Sequence, residues 1–195
     1  MNKRFRGFMP VVVDVETGGL EASTHALLEM CVVLLDLKKT GQFTPGTSCS
    51  EHILPFEGAL LDEKSLEFNG IDPFQPLRLA LSEREALTRL FDPIWQALRE
   101  SKCQRAVLVG HNAWFDLSFV NAAAARTGVK SPFHRFTCFD TATLAGVHYG
   151  QTVLAKAMHV AGIAFDANEA HSAIYDAEKT AALFCKIINT WQPPQ

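Results

Sequence analysis

The chain has 195 residues, 48% of them hydrophobic and 20% charged, with a net charge of −3 and a pI near 6.1. That length holds one substantial core, so a single domain over residues 1–195 is expected. The acidic balance excludes a protein that coats duplex nucleic acid through bulk positive charge, and any polyanion must be met locally. The apolar run before Asp14 is only about seven residues, too short for a signal h-region or a membrane span. Five scattered cysteines without a C-x-x-C pair give neither a disulfide framework nor a zinc knuckle. A soluble, cytoplasmic protein with reduced thiols and no membrane partner is expected.

Val11 to Val13 form a β-branched run that leads through Asp14 and Glu16 to Gly18-Gly19, which predicts a strand ending in a glycine turn. Leu27 to Leu37 and His52 to Phe56 read as two further strands, with a turn-rich link over Lys38 to Ser48, so the chain should begin as an antiparallel meander. Ser82-x-x-Glu85 is a capping box, and Leu87, Leu90, Phe91, Ile94, Trp95 and Leu98 then recur at helical spacing. Pro93 should kink or divide that helix.

Ala-Val-Leu-Val within Arg105 to Gly110 predicts a strand buried on both faces, with a helix to about Arg126. Phe136 to Phe139 reads as a short strand, Asp140 to Val147 and Val153 to Ala161 as helices, and Ser172 to Thr190 as a long final helix. Consecutive strands followed by strand–helix alternation predict an α/β layered domain with a mixed sheet. Basic residues cluster at Lys3, Arg4 and Arg6, at Arg99, Lys102 and Arg105, and at Arg126, Lys130 and Arg135, each near an element boundary.

Asp14 and Glu16 are two apart on a strand, so both carboxylates face one side. Paired anions in an apolar setting repel and raise each other's pKa unless a cation holds them, although a solvated strand end is the commoner origin of such a pair. Asp116 begins a helix on the face carried by Phe119, Val120 and Ala123, either as an acid turned toward a partner or as a capping residue. Asp176 opens the last helix on the face of Thr180, Leu183 and Ile187. His171, five residues earlier, has the pKa range of a base that takes a proton from water at neutral pH, or is a buried hydrogen-bonded histidine.

In order along the chain, Asp14-x-Glu16, His111-Asn-Ala-x-Phe-Asp116 and His171-x4-Asp176 match the three motifs of the DEDDh 3′→5′ exonucleases, and the chain resembles that superfamily. It is similar above all to the ribonuclease T family, through Phe8-x-Pro-Val-Val-x-Asp14-Val-Glu-Thr, Phe68-Asn-Gly-Ile-Asp-Pro73, Phe139-Asp-Thr-Ala142 and Ala170-His-Ser-Ala-x-Tyr-Asp176. Proofreading DNA exonucleases and oligoribonucleases look similar only at the three motifs, and remain the alternative enzyme reading. A single-strand binding module without hydrolysis is the non-enzymatic one.

The resemblance implies a ribonuclease H-like α/β fold with a central mixed five-stranded sheet flanked by helices. It also implies two magnesium ions, replaceable by manganese, held by Asp14, Glu16, Asp116 and Asp176, with His171 activating water. Phe68, Phe115 and Phe136 match positions that stack on the last bases, and Arg4, Arg6, Arg99, Arg105 and Lys130 fall in regions that feed RNA to the partner subunit of a homodimer. Substrates would be single-stranded 3′ ends of tRNA, of rRNA precursors and of DNA, released as 5′-mononucleotides. Leu20 and Lys64 depart from the family pattern, where a stacking phenylalanine and a base-contacting glutamate stand.

Overall fold

The structure, a computed structural model, describes Met1, residues 3–166 and residues 172–191. Its sheet is built from β1 (Phe8–Thr17), β2 (Leu27–Leu37), β3 (Phe43–His52), β4 (Arg105–Gly110) and β5 (Phe133–Asp140). The helices are α1 (Glu63–Asn69), α2 (Glu83–Ser101), α3 (Trp114–Thr127), α4 (Thr141–Tyr149), α5 (Leu154–Val160) and α6 (Ala173–Thr190). The spatial order is β3-β2-β1-β4-β5, with β1 antiparallel to β2 and parallel to β4, and β4 parallel to β5. The mixed five-stranded sheet expected from the sequence is present.

The middle position of β1 explains its valines. Val11, Val13 and Val15 pack with Leu87, Leu90 and Phe91 of α2 and with Phe119 and Val120 of α3. Val12 points the other way, into Ala173, Ala177, Ala181 and Phe184 of α6. The three alanines, spaced by four, form a stripe narrow enough for α6 to lie close on the sheet. By strand alternation Asp14 and Glu16 share the parity of Val12 and therefore face α6.

Three boundaries differ from the sequence reading. The third strand covers Phe43–His52 rather than His52 to Phe56, and only the tight link Lys38 to Gln42 turns, through Gly41 at φ +84°. Pro45 and Gly46 are tolerated because β3 is the sheet edge, where a missing N–H breaks no inner ladder. The strand expected over Phe136 to Phe139 is longer, Phe133–Asp140, and it is interrupted. Ala106 pairs with Phe133 and Leu108 with Cys138, so five steps on β5 (138 − 133) answer two on β4 (108 − 106). Residues 134–137 therefore arch out of the ladder. Finally, α2 carries the predicted capping box but runs through Pro93 undivided.

Helix α1 and the short 3-10 helix Pro76–Arg78 were not evident from periodicity, since neither buries a residue. No helix among the described residues is long and apolar enough to cross a membrane.

Candidate active site

At the carboxyl end of β1, Asp14, Glu16 and Asp176 each offer an oxygen, and these oxygens all lie within 4.8 Å of one another. Two come from one strand face and the third from the first turn of α6, which that face meets. Asp116 arrives from the opposite layer. It lies in the first turn of α3, 4% exposed, with its carboxylate accepting the backbone N–H of Val15 and close enough to Asp14 to feel its charge. All four acidic residues expected at the site thus gather at the tip of β1. His171 lies outside the described residues.

The approach of α3 is set by glycine and by a borrowed cap. A Cβ on Gly110 would sit 2.9 Å from Asp116 Oδ2, so the last position of β4 has no room for a side chain. Ala113 caps α3 without a side-chain bond, and Asn112 before it takes a left-handed φ of 66°. Asp140, at the end of β5, fixes this turn by accepting Asn112 N–H at 2.8 Å and Ala113 N–H at 3.4 Å. The same carboxylate caps α4, taking the amides of Ala142 and Thr143 and the Thr143 hydroxyl. Burial alone would raise the Asp140 pKa, but these hydrogen bonds bring it below the ordinary value. Asp140 was visible only as part of the Phe139-Asp-Thr-Ala142 match; its capping spacing to Thr143 is the local signal.

His111 of the middle motif is a structural group. Its Nδ1 meets the Thr141 hydroxyl at 3.0 Å and its Nε2 the Thr152 carbonyl at 2.8 Å, and burial lowers its pKa, which keeps the ring neutral.

The acidic groups themselves are held far from their ordinary behaviour. Burial first, then the charges of Asp116, Glu16, Asp176 and Glu29, raises Asp14 well above the carboxylate range. Glu16 is pushed up to about 8 by burial and by Asp176 and Glu29. Asp116 is raised mainly by burial, against the lowering effect of its amide hydrogen bonds. Among the described residues no lysine or arginine lies within 4.0 Å of Asp14, Glu16 or Asp116. Clustered carboxylates with hard oxygen donors, repelling one another and partly withdrawn from water, fit a divalent ion, which would restore their ionised forms.

A cleft of about 570 Å³ opens from this cluster and is lined by Leu20, Lys64, Phe68 and Phe115 together with Asp14, Glu16 and Asp176. Helix α1 forms one wall. Asp62 caps it, Gly70 ends it in the left-handed region, and Asn69 ties it to β1 by donating to the Thr17 carbonyl at 3.0 Å. The cap pair Asp62 and Gly70 was the signal for this helix. Phe68, 67% exposed, and Phe115 therefore stand beside the acids.

Phe136 does not line that cleft. It sits on the arch of β5, 80% exposed and edge-on to His134, in a separate groove with Arg105, Arg135 and Asn121. Arg99 and Lys130 line another groove with Trp95, where the Lys130 ammonium lies 5.4 Å from the Trp95 ring centre. Arg4 donates to the carbonyls of Ile188 and Trp191 at 3.0 and 2.9 Å, at the far end of α6. From Asp176 to Ile188 is twelve residues (188 − 176), about 18 Å of helix. Arg6 precedes β1 with a φ of 54°. None of the five basic residues expected to contact RNA lines the acidic cleft of its own chain.

A mixed sheet presenting clustered carboxylates beside a groove with exposed aromatic rings is the architecture of a metal-dependent exonuclease, and the sequence model of the RNase_T exonuclease family matches residues 11–184. Ribonuclease T of Vibrio parahaemolyticus is 57% identical over 194 residues, covering 98% of this chain and 91% of that one. The chain belongs to the ribonuclease T family of 3′→5′ exonucleases. Among solved structures, the nuclease domain of 3′hExo, a DEDDh family member bound to rAMP, superposes with a TM-score of 0.70 at 20% identity, covering 92% of this chain and 90% of that one. E. coli exonuclease I in complex with a dT13 oligonucleotide gives 0.71 at 17% identity; 94% of this chain is covered, but only 41% of that one. At such identities these two establish the ribonuclease H-like fold.

Proposed function

We propose that the chain is a metal-dependent 3′→5′ exoribonuclease, one domain over residues 1–195, that trims single-stranded 3′ ends of tRNA, rRNA precursors and other stable RNAs in the cytoplasm and also acts on single-stranded DNA. The observation that carries this reading is the meeting of Asp14, Glu16 and Asp176 within 4.8 Å beside a cleft furnished with Phe68 and Phe115.

Asp14, Glu16, Asp116 and Asp176 are assigned as the holders of two Mg²⁺, with Mn²⁺ as a substitute, since all four are hard oxygen donors. When bound, such a pair of ions offsets charge on the attacking and leaving oxygens of a phosphodiester. His171 is assigned as the base that takes a proton from the attacking water. The water oxygen bonds to phosphorus as the bond to the 3′ oxygen breaks; that oxygen stays on the shortened chain and takes up a proton from solvent, and the terminal residue departs as a 5′-mononucleotide. Phe68 and Phe115 stack on the terminal bases, a contact that tolerates any base and is worth about 1–3 kcal/mol for each. Phe136, Arg4, Arg6, Arg99, Arg105 and Lys130 are assigned to RNA passing toward the other subunit of a homodimer, consistent with their distance from the cleft of their own chain.

The test is a 5′-labelled RNA stem with a short 3′ overhang, incubated with Mg²⁺. Wild type should shorten the overhang stepwise and stop close to the duplex, while Asp14→Asn, His171→Ala and chelator should abolish the ladder. A wild-type protein that leaves an unpaired tail intact in both Mg²⁺ and Mn²⁺ overturns the reading, and a monomer at micromolar concentration in sedimentation removes the two-subunit part.

A further inference from the structure

Glu29 of β2 stands directly opposite Glu16 of β1, so its side chain points to the sheet face that α6 covers. The side chain is only 12% exposed. One carboxylate oxygen lies 2.7 Å from Nδ1 of His52, its register partner on β3, in a close contact without hydrogen-bond alignment. The other accepts the backbone N–H of Ala173, the first residue of α6, at 3.5 Å. Ser172, at the N-cap of α6, makes no side-chain capping bond. A carboxylate from a neighbouring strand thus supplies the acceptor, and the negative charge, that a helix start ordinarily takes from its own cap.

The setting of Glu29 differs from that of the metal-site acids. His52 touches it, and Arg78, which donates to the Leu28 carbonyl at 2.8 Å, is near enough to feel its charge. Glu29 is therefore provided for by the protein and is not a spare metal ligand. What it holds is Ala173, which is fully buried on the sheet and lies three residues before Asp176.

We propose that Glu29 is a positioning residue that ties the first turn of α6 to β2 and so fixes Asp176 against Asp14 and Glu16. The inference rests on the metal-dependent reading above. Helix ends fray unless something anchors them, and a ligand carried on a frayed turn loses its place relative to two ligands fixed on a central strand.

Two conservative variants of the full chain separate reach from charge. Glu29→Gln keeps an acceptor at the distance of the Ala173 amide and gives up the charge, whereas Glu29→Asp keeps the charge and is one methylene too short. Mn²⁺ binding is read by electron paramagnetic resonance without substrate, kcat and KM on an unstructured oligonucleotide, and fold by circular dichroism. Glu29→Asp should weaken Mn²⁺ binding and lower kcat by about 10- to 100-fold with KM little changed, while Glu29→Gln stays within about threefold of wild type. The proposal is overturned if Glu29→Asp binds and turns over as wild type does, or if Glu29→Gln is impaired as much as Glu29→Asp. Absence of Mn²⁺ binding in wild type would instead sink the metal-dependent reading itself, which keeps the two failures apart.

Discussion

Glu83, at the start of α2, is buried and Glu16, at the tip of β1, is half-buried, and the protein treats the two differently. Glu83 takes two nitrogens of Arg126, at 2.6 and 3.0 Å, and the guanidinium lies 3.8 Å from the Phe56 ring centre. Glu16 faces Asp14, Asp176 and Glu29 instead, and its pKa climbs to about 8. A fold able to build a closed ion pair at Glu83 brings no lysine or arginine among the described residues within 4.0 Å of Asp14 or Glu16. The first arrangement is complete in itself, whereas the second suits a cation from solution, which would favour its charged form.

The contrast is broken most sharply by Asp14→Asn. On the metal-dependent reading, losing this ligand removes several kcal/mol of transition-state stabilisation, so kcat should fall about 1000-fold, at tenfold per 1.36 kcal/mol. Without metal, the same substitution relieves repulsion, so the melting temperature in chelator should hold or rise. A variant with native kcat in Mg²⁺ would show that the cluster is not catalytic. Arg126→Ala should do the reverse, stranding Glu83 at a cost of about 3 kcal/mol in denaturant unfolding while kcat of the folded fraction stays near wild type. A loss of kcat without a loss of stability would undo the division between the two regions.

Smaller effects sharpen it. Between its ordinary 4.5 and about 8, Glu16 keeps a proton in the metal-free folded chain that the unfolded chain has released. Because the folded state binds the extra proton, this contribution to stability shrinks as pH rises through that window. In chelator, then, the melting temperature of Glu16→Gln should gain on wild type from about pH 5 to pH 8, and Mg²⁺ should raise that of wild type most at the upper end. A difference flat in pH would contradict the assignment. Smallest is the effect of Lys130→Ala in the Trp95 groove, where losing one phosphate contact should reduce the salt slope of single-stranded RNA binding by about 0.7 and leave kcat unchanged.

Much of this was legible because the residues concerned serve a periodic structure. The valines of β1 had to lie in the middle of a sheet, and strand alternation then put Asp14 and Glu16 on one face. Asp116 and Asp176 were readable from the apolar faces of α3 and α6. Misread segments are those where tertiary position overrides local preference. Pro45 and Gly46 look like a turn until β3 is known to be an edge strand. Helix α1 buries nothing, so it has no apolar stripe and shows only its caps. The arch at 134–137 depends on pairing with β4, and it alone explains why Phe136 stands with Arg105 rather than with Phe68. Glu29 escaped notice because one glutamate in a buried strand has no pattern of its own.

Segments far apart in sequence are joined here: Arg4 grips the carbonyls of Ile188 and Trp191, and the turn that carries Asp176 docks on β1. A chain without α6 holds Asp14, Glu16 and Asp116, but not the element that closes the cluster. The cluster is thus a product of tertiary folding, and no fragment that stops short of α6 contains it.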